Sequence, residues 1–237
     1  MSFNASSMPV ILALDTCTEN CSAALKTANG QWHERVDAPR EHSQRLLPMV
    51  QGLLQQAQLS MADVGLIAYG RGPGSFTGIR ICTSMTQGLA LAREIPVIGI
   101  STLAAMAQQA ISEHGAEQVL CAIDARMGEI YWAAFQAVDG MAVEVAPEQV
   151  AAPEALTVPF ENAKPIYCCG TGFETYADLL HINPQLTLLD AVKYPDANAM
   201  LALAERGYLA GEATSVDDLK PVYLRDTVAW KKLPGRE

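Results

Sequence analysis

The fold of this chain is decided by the stretch VILALDT at Val10–Thr16 and by the similar stretch VLCAID at Val119–Asp124. Each is an apolar run that ends at or beside an aspartate, which is typical of a buried strand. Each aspartate precedes the glycine of a predicted hairpin turn, Gly30 or Gly140, by 15 or 16 residues. The repeated spacing predicts a degenerate internal duplication into two similar lobes, and coincidence is the alternative.

The segments after the first stretch predict the element order β-β-β-α-β-α. Two strands flank the Asn29-Gly30 turn, since both positions accept positive φ, and an amphipathic helix lies around Leu46–Ala57. Lobes of this order favour mixed sheets with packed helices, an α/β fold. The other predicted elements are a strand at Val64–Tyr69, the loop Gly70–Gly74, a helix at Thr77–Arg93, a strand at Ile95–Ile100 and a helix at Thr102–Ile111 capped by Ser101.

The second half begins in the same way. A strand at Glu129–Val138 leads to the Asp139-Gly140 turn, a strand at Ile166–Cys169 leads into a Gly-Thr-Gly segment, and Ala197–Ala210 is a late helix. We therefore predict a cleft between two lobes. The predicted division is a disordered tail at 1–8, a first lobe at 9–111, a second lobe at 112–219 and a basic tail at 220–237.

Composition excludes several classes of protein. The opening MSFNASSM lacks the positive start and apolar core of a secretion signal, and apolar runs such as Val10–Leu14 are far shorter than the ~20 residues that span a bilayer. The six cysteines form no C-x-x-C pair. We expect them to be buried, reduced thiols, which favours the cytoplasm.

Charge is distributed unevenly along the chain. Residues 1–111 hold 7 basic and 7 acidic residues, residues 112–219 hold 4 and 17, and residues 220–237 hold 5 and 2. A neutral first lobe tolerates close association with a partner, whereas the acidic second lobe should repel nucleic acid.

The segment RGPGSFTGIR, Arg71–Arg80, is the strongest candidate for a ligand loop. Gly72 and Gly74 permit a tight strand-to-helix turn whose amides can cradle an anion. No Lys-Ser or Lys-Thr follows its last glycine, so a Walker A loop is excluded. A purely structural turn is the alternative interpretation.

Two aspartates are candidates for a nucleotide cleft. Asp15, followed by Thr16, could position Mg²⁺ for phosphoryl transfer, but the turn after it has no glycine, lysine or arginine, and a hairpin-capping pair is the alternative. Asp124 opens the segment DARMGE, for which a local arginine–carboxylate pair is the alternative. The four histidines have no metal-peptidase spacing.

Five segments together resemble the TsaB family, the bacterial tRNA threonylcarbamoyladenosine biosynthesis subunits. The resemblance spans nearly the whole chain after Met8, and the GPGSFTG and DARMGE segments carry most of its specificity. The segments are ILALDT, PREHSQRLLPMV, YGRGPGSFTGIR, IDARMGEIYW and KPVYLRDTVAWKKLPG.

This resemblance implies two ribonuclease-H-like lobes of the actin, Hsp70 and sugar-kinase type. It implies a cytoplasmic, non-catalytic subunit for forming N6-threonylcarbamoyladenosine at position 37 of tRNA. The transferase TsaD and the ATPase TsaE would be its partners, and ATP and Mg²⁺ would act mainly through them. Because the acidic second lobe should repel tRNA, any contact of this chain with tRNA would be made by Lys231 and Lys232 in the basic tail. The alternatives are an ATP-dependent phosphotransferase, which ATP turnover by the isolated chain would reveal, and a peptidase.

The first lobe is the predicted partner surface, through its two amphipathic helices. Apolar side chains repeat along both helices, more than one sheet face requires. The same face would allow a homodimer when the partner is missing. The alternative is that both stripes only cover their own sheet. The predicted contact residues are Leu46, Met49, Val50, Leu53, Ile79, Cys82, Met85 and Leu89.

Overall fold

The computed structural model describes residues 8–161 and 164–225, and within them two five-stranded mixed sheets carry the fold. The first sheet contains β1 (Val10–Asp15), β2 (Asn20–Lys26), β3 (Gln31–Asp37), β4 (Val64–Gly72) and β5 (Val97–Ser101). The second contains β6 (Gln118–Arg126), β7 (Glu129–Val138), β8 (Met141–Ala151), β9 (Ile166–Cys169) and β10 (Leu186–Leu188).

The two sheets have the same topology. The strand orders are β3-β2-β1-β4-β5 and, read in the same sense, β8-β7-β6-β9-β10. In each, the first two strands pair antiparallel, and the first strand pairs in parallel with the strand that follows the crossover. The internal duplication predicted from the sequence is therefore confirmed, and with it the two-lobed α/β architecture of mixed sheets with packed helices.

The helices differ more between the lobes than the strands do. The first lobe has α1 (His42–Gln56), α2 (Phe76–Leu91) and α3 (Thr102–His114), and the described part of the second has the short α4 (Thr171–Thr175) and α5 (Ala197–Leu209). The 3-10 turn Pro153–Ala155 lies between β8 and β9, where α1 lies between β3 and β4 in the first lobe. Pro48 lies inside α1, which begins at His42 rather than near Leu46.

Helix α3 of the first lobe packs on the second sheet, and helix α5 of the second lobe packs on the first sheet. The two helices also pack against each other. Leu103 and Met106 of α3 lie in the core of the second sheet, while Met200 and Leu201 of α5 lie in a core formed with strands of the first sheet. The predicted boundary near residue 112 thus separates the two sheets but not the helices that cover them. This crossing ties the lobes together at the base of the cleft.

Some local predictions differ from the structure. The Asn29-Gly30 turn does not use positive φ, because the Thr27 hydroxyl accepts hydrogen bonds from both backbone N–H groups and sets the turn. The Asp139-Gly140 turn does have positive φ at both positions, at 51° and 76°. Strand β8 was not predicted, since its pattern of buried and exposed residues is irregular.

Two predictions concern the cysteines and the length of the apolar segments. All six thiols are buried and none is in a disulfide. Within the ranges that the structure describes, no helix has the length and apolar character needed to cross a bilayer.

The packing of α5 on the first sheet predicts a stability effect. Leu201 is 1% exposed, whereas Leu209 at the end of the same helix is 76% exposed. Leu201→Ala should lower the free energy of unfolding by about 3 kcal/mol, as measured by urea denaturation. The matched Leu209→Ala variant should change it by no more than about 0.5 kcal/mol. Equal effects would contradict the crossed packing.

Candidate functional site

The glycine loop between β4 and α2 is pressed against the β1–β2 turn, backbone to backbone. A Cβ added at Gly74 would lie 2.2 Å from the Cys17 carbonyl oxygen, and one added at Gly78 would lie 2.1 Å from that of Thr16. The Ser75 N–H donates to the Cys17 carbonyl at 2.7 Å, and the Thr16 hydroxyl donates to the Gly78 carbonyl at 2.8 Å. The loop glycines therefore serve close packing, as the structural interpretation held.

The start of α2 has little free anion-binding capacity. The Ser75 side chain caps the helix by accepting from the Gly78 N–H, and the Ile79 N–H donates to the Ser75 carbonyl. The amides of Ser75, Gly78 and Ile79 are thus already engaged by acceptors of the chain, which reduces the number of donors left for an anion.

Asp15 is enclosed by its surroundings. Its Oδ1 accepts from the Cys17 N–H at 3.0 Å, and its Oδ2 has no hydrogen-bond partner among the described residues. Gly70 leaves no space above it, since a Cβ there would lie 2.0 Å from Oδ2. Burial raises the pKa of the Asp15 carboxyl from 3.8 to about 7, against the Cys17 hydrogen bonds that lower it. A protonated carboxyl is therefore well populated at neutral pH.

A cleft of about 590 Å³ lies between the lobes. Of the residues predicted to line a nucleotide cleft, Gly74 and Asp124 line it, while Asp15, Thr16 and Gly72 are buried behind its wall. The prediction is corrected for these three, because the glycine loop covers the end of β1. The walls are the β1–β2 turn, the start of α2, the β6–β7 turn and residues 222–225.

Arg126 bridges the mouth of this cleft. Its guanidinium contacts the Asp124 carboxylate at 3.0 Å within the β6–β7 turn and the Glu19 carboxylate at 3.1 Å on the first lobe. The local arginine–carboxylate pair, which was the alternative interpretation of the DARMGE segment, is therefore present. Asp124, with its side chain 11% exposed, is engaged by a cation of the chain itself.

A second inter-lobe contact was missed by sequence reasoning. Arg71, in the glycine loop segment, pairs with Glu148 of β8 at 2.9 Å, and the Ser101 hydroxyl also donates to Glu148. Burial raises the pKa of neighbouring Glu144, and the charge of Glu148 raises it further. No local signal marks Glu148, because its strand was not predicted and its partner lies far away in the sequence.

The residues predicted to bind a partner are mostly in the core of the first lobe. All the buried ones except Ile79 pack in the core against the first sheet, so the alternative interpretation is correct for them. Ile79 is buried at the wall of the inter-lobe cleft. Met85 and Leu89 are only partly buried beside the same core. The buried ones are Leu46, Met49, Val50, Leu53, Ile79 and Cys82.

The same two helices present another face to solvent. A shallow groove lies between the start of α1 and α2, lined by Ser43, Thr77, Ile81 and Ser84 among others. Gly88 continues this line along α2, and nothing lies within 4 Å of where its Cβ would be. We call Ser43, Leu47, Thr77, Ile81, Ser84 and Gly88 the α1–α2 face.

Two further predictions concern ions and the tail. In the part of the chain that the structure describes, no three His, Cys, Asp or Glu side chains come together as a metal site would require. Lys231 and Lys232, the candidate tRNA contacts, lie outside the described residues. Their role stays a prediction.

Comparison with known proteins gives consistent matches. The family model for TsaD, tRNA N6-adenosine threonylcarbamoyltransferase, matches residues 36–233. The tRNA threonylcarbamoyladenosine biosynthesis protein TsaB of Escherichia coli is 45% identical, over 96% of this chain and 99% of that protein. TsaB of Haemophilus influenzae is 42% identical, over 96% and 98%. The solved structure of YeaZ from Pseudomonas aeruginosa has a TM-score of 0.86 at 42% identity, over 92% of this chain and all of that one.

The contact between the glycine loop and the β1–β2 turn predicts opposite effects of two glycine substitutions in α2. Gly78→Ala should lower the free energy of unfolding by about 3 kcal/mol, because its Cβ would collide with a backbone oxygen. Gly88→Ala should raise it by up to about 1 kcal/mol, since alanine favours the helix and meets no atom. Urea denaturation measures both, and a tolerated Gly78→Ala would contradict the close approach.

The buried Asp15 predicts a pH-dependent stability. Its pKa is about 7 in the folded chain against 3.8 for an ordinary aspartate, so the folded state binds an extra proton between these pH values and loses this stabilisation as the pH rises. Relative to Asp15→Asn, the wild type should therefore lose about 1.4 kcal/mol of unfolding free energy per unit from about pH 5 to about pH 7. Urea denaturation across this range measures the difference. A constant difference would show that Asp15 stays ionised.

Proposed function

The chain belongs to the TsaB family of tRNA threonylcarbamoyladenosine biosynthesis proteins, and from this premise we propose that it is the non-catalytic subunit that binds and activates a TsaD-type transferase. The modification it serves would be N6-threonylcarbamoyladenosine at position 37 of tRNA. TsaE would join the pair, and ATP and Mg²⁺ would act mainly through these partners. The tRNA would be reached through the complex rather than through this chain alone.

The closed end of β1 is the observation that carries the non-catalytic part of the proposal. A phosphotransferase of this architecture would use Asp15 or Asp124 to hold Mg²⁺ against a phosphate. Asp15 is covered by the Gly70 backbone, and burial raises its pKa to about 7. Asp124 is paired with Arg126. No observation favours the phosphotransferase alternative.

The α1–α2 face supports the partner-binding part. A glycine inside a helix costs about 1 kcal/mol relative to alanine, yet nothing in the chain packs on Gly88. Small residues with open space above them allow the backbone of another helix to approach closely. The face is also apolar at Leu47 and Ile81, on a lobe whose sequence carries no net charge.

The kind of partner follows from the family comparison. Because a family model of TsaD matches most of this chain, the two proteins share a fold and carry equivalent helices. Two similar folds can pair through the same face in a pseudo-symmetric bundle, much as identical subunits pair around a two-fold axis. A second copy of the chain could occupy that face when TsaD is absent. Activation then requires only that the chain bind the active form of TsaD more tightly than the inactive form.

A bulky side chain on the α1–α2 face tests the proposal. Gly88→Leu leaves the folded chain undisturbed, since the space above Gly88 is open, but it should weaken binding to purified TsaD at least about tenfold through overpacking of the interface. Titration calorimetry measures the affinity, and circular dichroism verifies folding. Transfer of threonylcarbamoyl to tRNA by the reconstituted proteins should fall in parallel.

A charge on the same face has a matched control. Ile81→Glu should weaken TsaD binding strongly, because the carboxylate would be buried without a partner. Leu209→Glu places the same charge on an exposed position of α5 and should leave affinity unchanged. If both helix-α2 variants stay folded and bind TsaD as the wild type does, the partner lies elsewhere.

A further inference from the structure

Residues 220–225 run across the mouth of the cleft in an extended path with no regular secondary structure. The segment begins on the first lobe. The Tyr69 hydroxyl accepts a hydrogen bond from the Lys220 N–H at 3.1 Å, and the Val222 N–H donates to the Arg71 carbonyl at 2.7 Å. It lines the cleft from Val222 to Arg225.

The first lobe is shaped to receive this segment. Gly72 has a φ of 98°, and a Cβ there would lie 2.7 Å from the Val222 carbonyl oxygen. Only glycine adopts this conformation readily and leaves room for the passing backbone. Gly74 and Gly78 are needed for the contact with the β1–β2 turn, whereas Gly72 is needed for the passage of the Val222 backbone.

The far end of the segment is fastened to the second lobe. The Arg225 guanidinium pairs with Glu129 through both Nε, at 3.0 Å, and Nη2. Its Nη2 also donates to the Arg126 carbonyl at 3.2 Å, and its Nη1 lies 3.7 Å from the Met127 sulfur. The Arg225 guanidinium thus contacts three residues of the β6–β7 turn, and the Arg225 side chain is only 18% exposed. Both donors meet the same Glu129 oxygen, Oε2, and hydrogen bonds between ionised groups are stronger than those between neutral ones.

The middle of the segment contacts the start of α2. The Tyr223 ring lies 5.5 Å from the Phe76 ring, centroid to centroid, and the Arg80 guanidinium stacks 3.9 Å above Phe76. Phe76 and Arg80 also line the groove beside the α1–α2 face. One short segment therefore contacts the first lobe, the second lobe and the border of the partner surface.

We propose that residues 220–225 form a latch that joins the two lobes across the cleft, with Arg225 on Glu129 as its releasable end. While the latch is closed, the lobes are held at the mouth of the cleft as well as at the crossed helices α3 and α5. When the contact between Arg225 and Glu129 breaks, the segment dissociates from Arg71 and Phe76 of the first lobe. The two lobes then move apart at the mouth of the cleft. A partner that captures the end of the chain would thereby change the shape of the α1–α2 border without entering the cleft.

Hydrogen exchange of backbone amides in the isolated full chain measures how often the latch opens, and it needs no partner protein. The Val222 N–H reports directly, because its acceptor is the Arg71 carbonyl on the body of the first lobe. Arg225→Ala should raise its exchange rate about tenfold, the effect of losing a charged hydrogen-bonded contact. Lys193→Ala, which breaks the Lys193–Glu174 pair on the second lobe, is the control and should leave the rate unchanged.

A double-mutant cycle identifies the pair. If Glu129 and Arg225 act together, Glu129→Ala and Arg225→Ala should each accelerate exchange, and the double variant should be no faster than the faster single variant. Additive effects, or an unchanged Val222 rate in Arg225→Ala, would overturn the latch.

The distance between the lobes is the second measurement. Spin labels at Thr77→Cys on α2 and Thr175→Cys on α4 would stand on different lobes, at exposed positions, and the native thiols are buried. Arg225→Ala should broaden the distribution of label distances and shift it to longer values, while Lys193→Ala should not. Faster exchange at Val222 with an unchanged distance distribution would show that the segment only lies on the surface, and would overturn the proposal.

Discussion

The close backbone contact between the β1–β2 turn and the glycine loop is the constraint on which the rest of the first lobe depends. Gly74 and Gly78 bring α2 so near to Thr16 and Cys17 that any side chain there would collide with a carbonyl oxygen. This approach fixes the direction in which α2 leaves the sheet, and so it positions the α1–α2 face. The neighbouring Gly70 backbone closes the end of β1 over the Asp15 carboxylate.

Contacts at the base and at the mouth of the cleft hold the two lobes together. The crossed helices α3 and α5 join the lobes at the base of the cleft. At its mouth, Arg126 on Glu19 and the proposed latch at Arg225 join them again, and Arg71 on Glu148 is a further contact between the lobes. Asp124 and Glu148 are thereby paired with cations of the chain itself. A rigid first lobe then presents a preorganised surface, which reduces the entropy lost on binding a partner.

Much of the fold could be predicted from the sequence because it rests on local patterns. The two VILALD-like strands, the hairpin at Gly140 and the Ser101 cap of α3 each follow from residues within a few positions of one another. The repeated spacing of those signals was enough to predict the duplication. Strand β8 was missed because it has no clean alternation. The start of α1 was placed near Leu46 because a proline inside a helix is unfavourable and Pro48 therefore favours a helix that begins close to it.

The candidate site was predicted less well, because amphipathic periodicity shows that a helix has an apolar stripe but not what covers it. Leu46 and Cys82 were expected at a partner surface, yet they pack on their own sheet. The sequence by itself determined the two-lobed fold, the family and the division of charge between the lobes, since these depend on composition, spacing and motif. Only the tertiary structure decided that Asp15 is enclosed, that α3 and α5 cross, and that Arg225 reaches Glu129. Each of these depends on residues brought together from distant parts of the chain, and no local pattern encodes such distances.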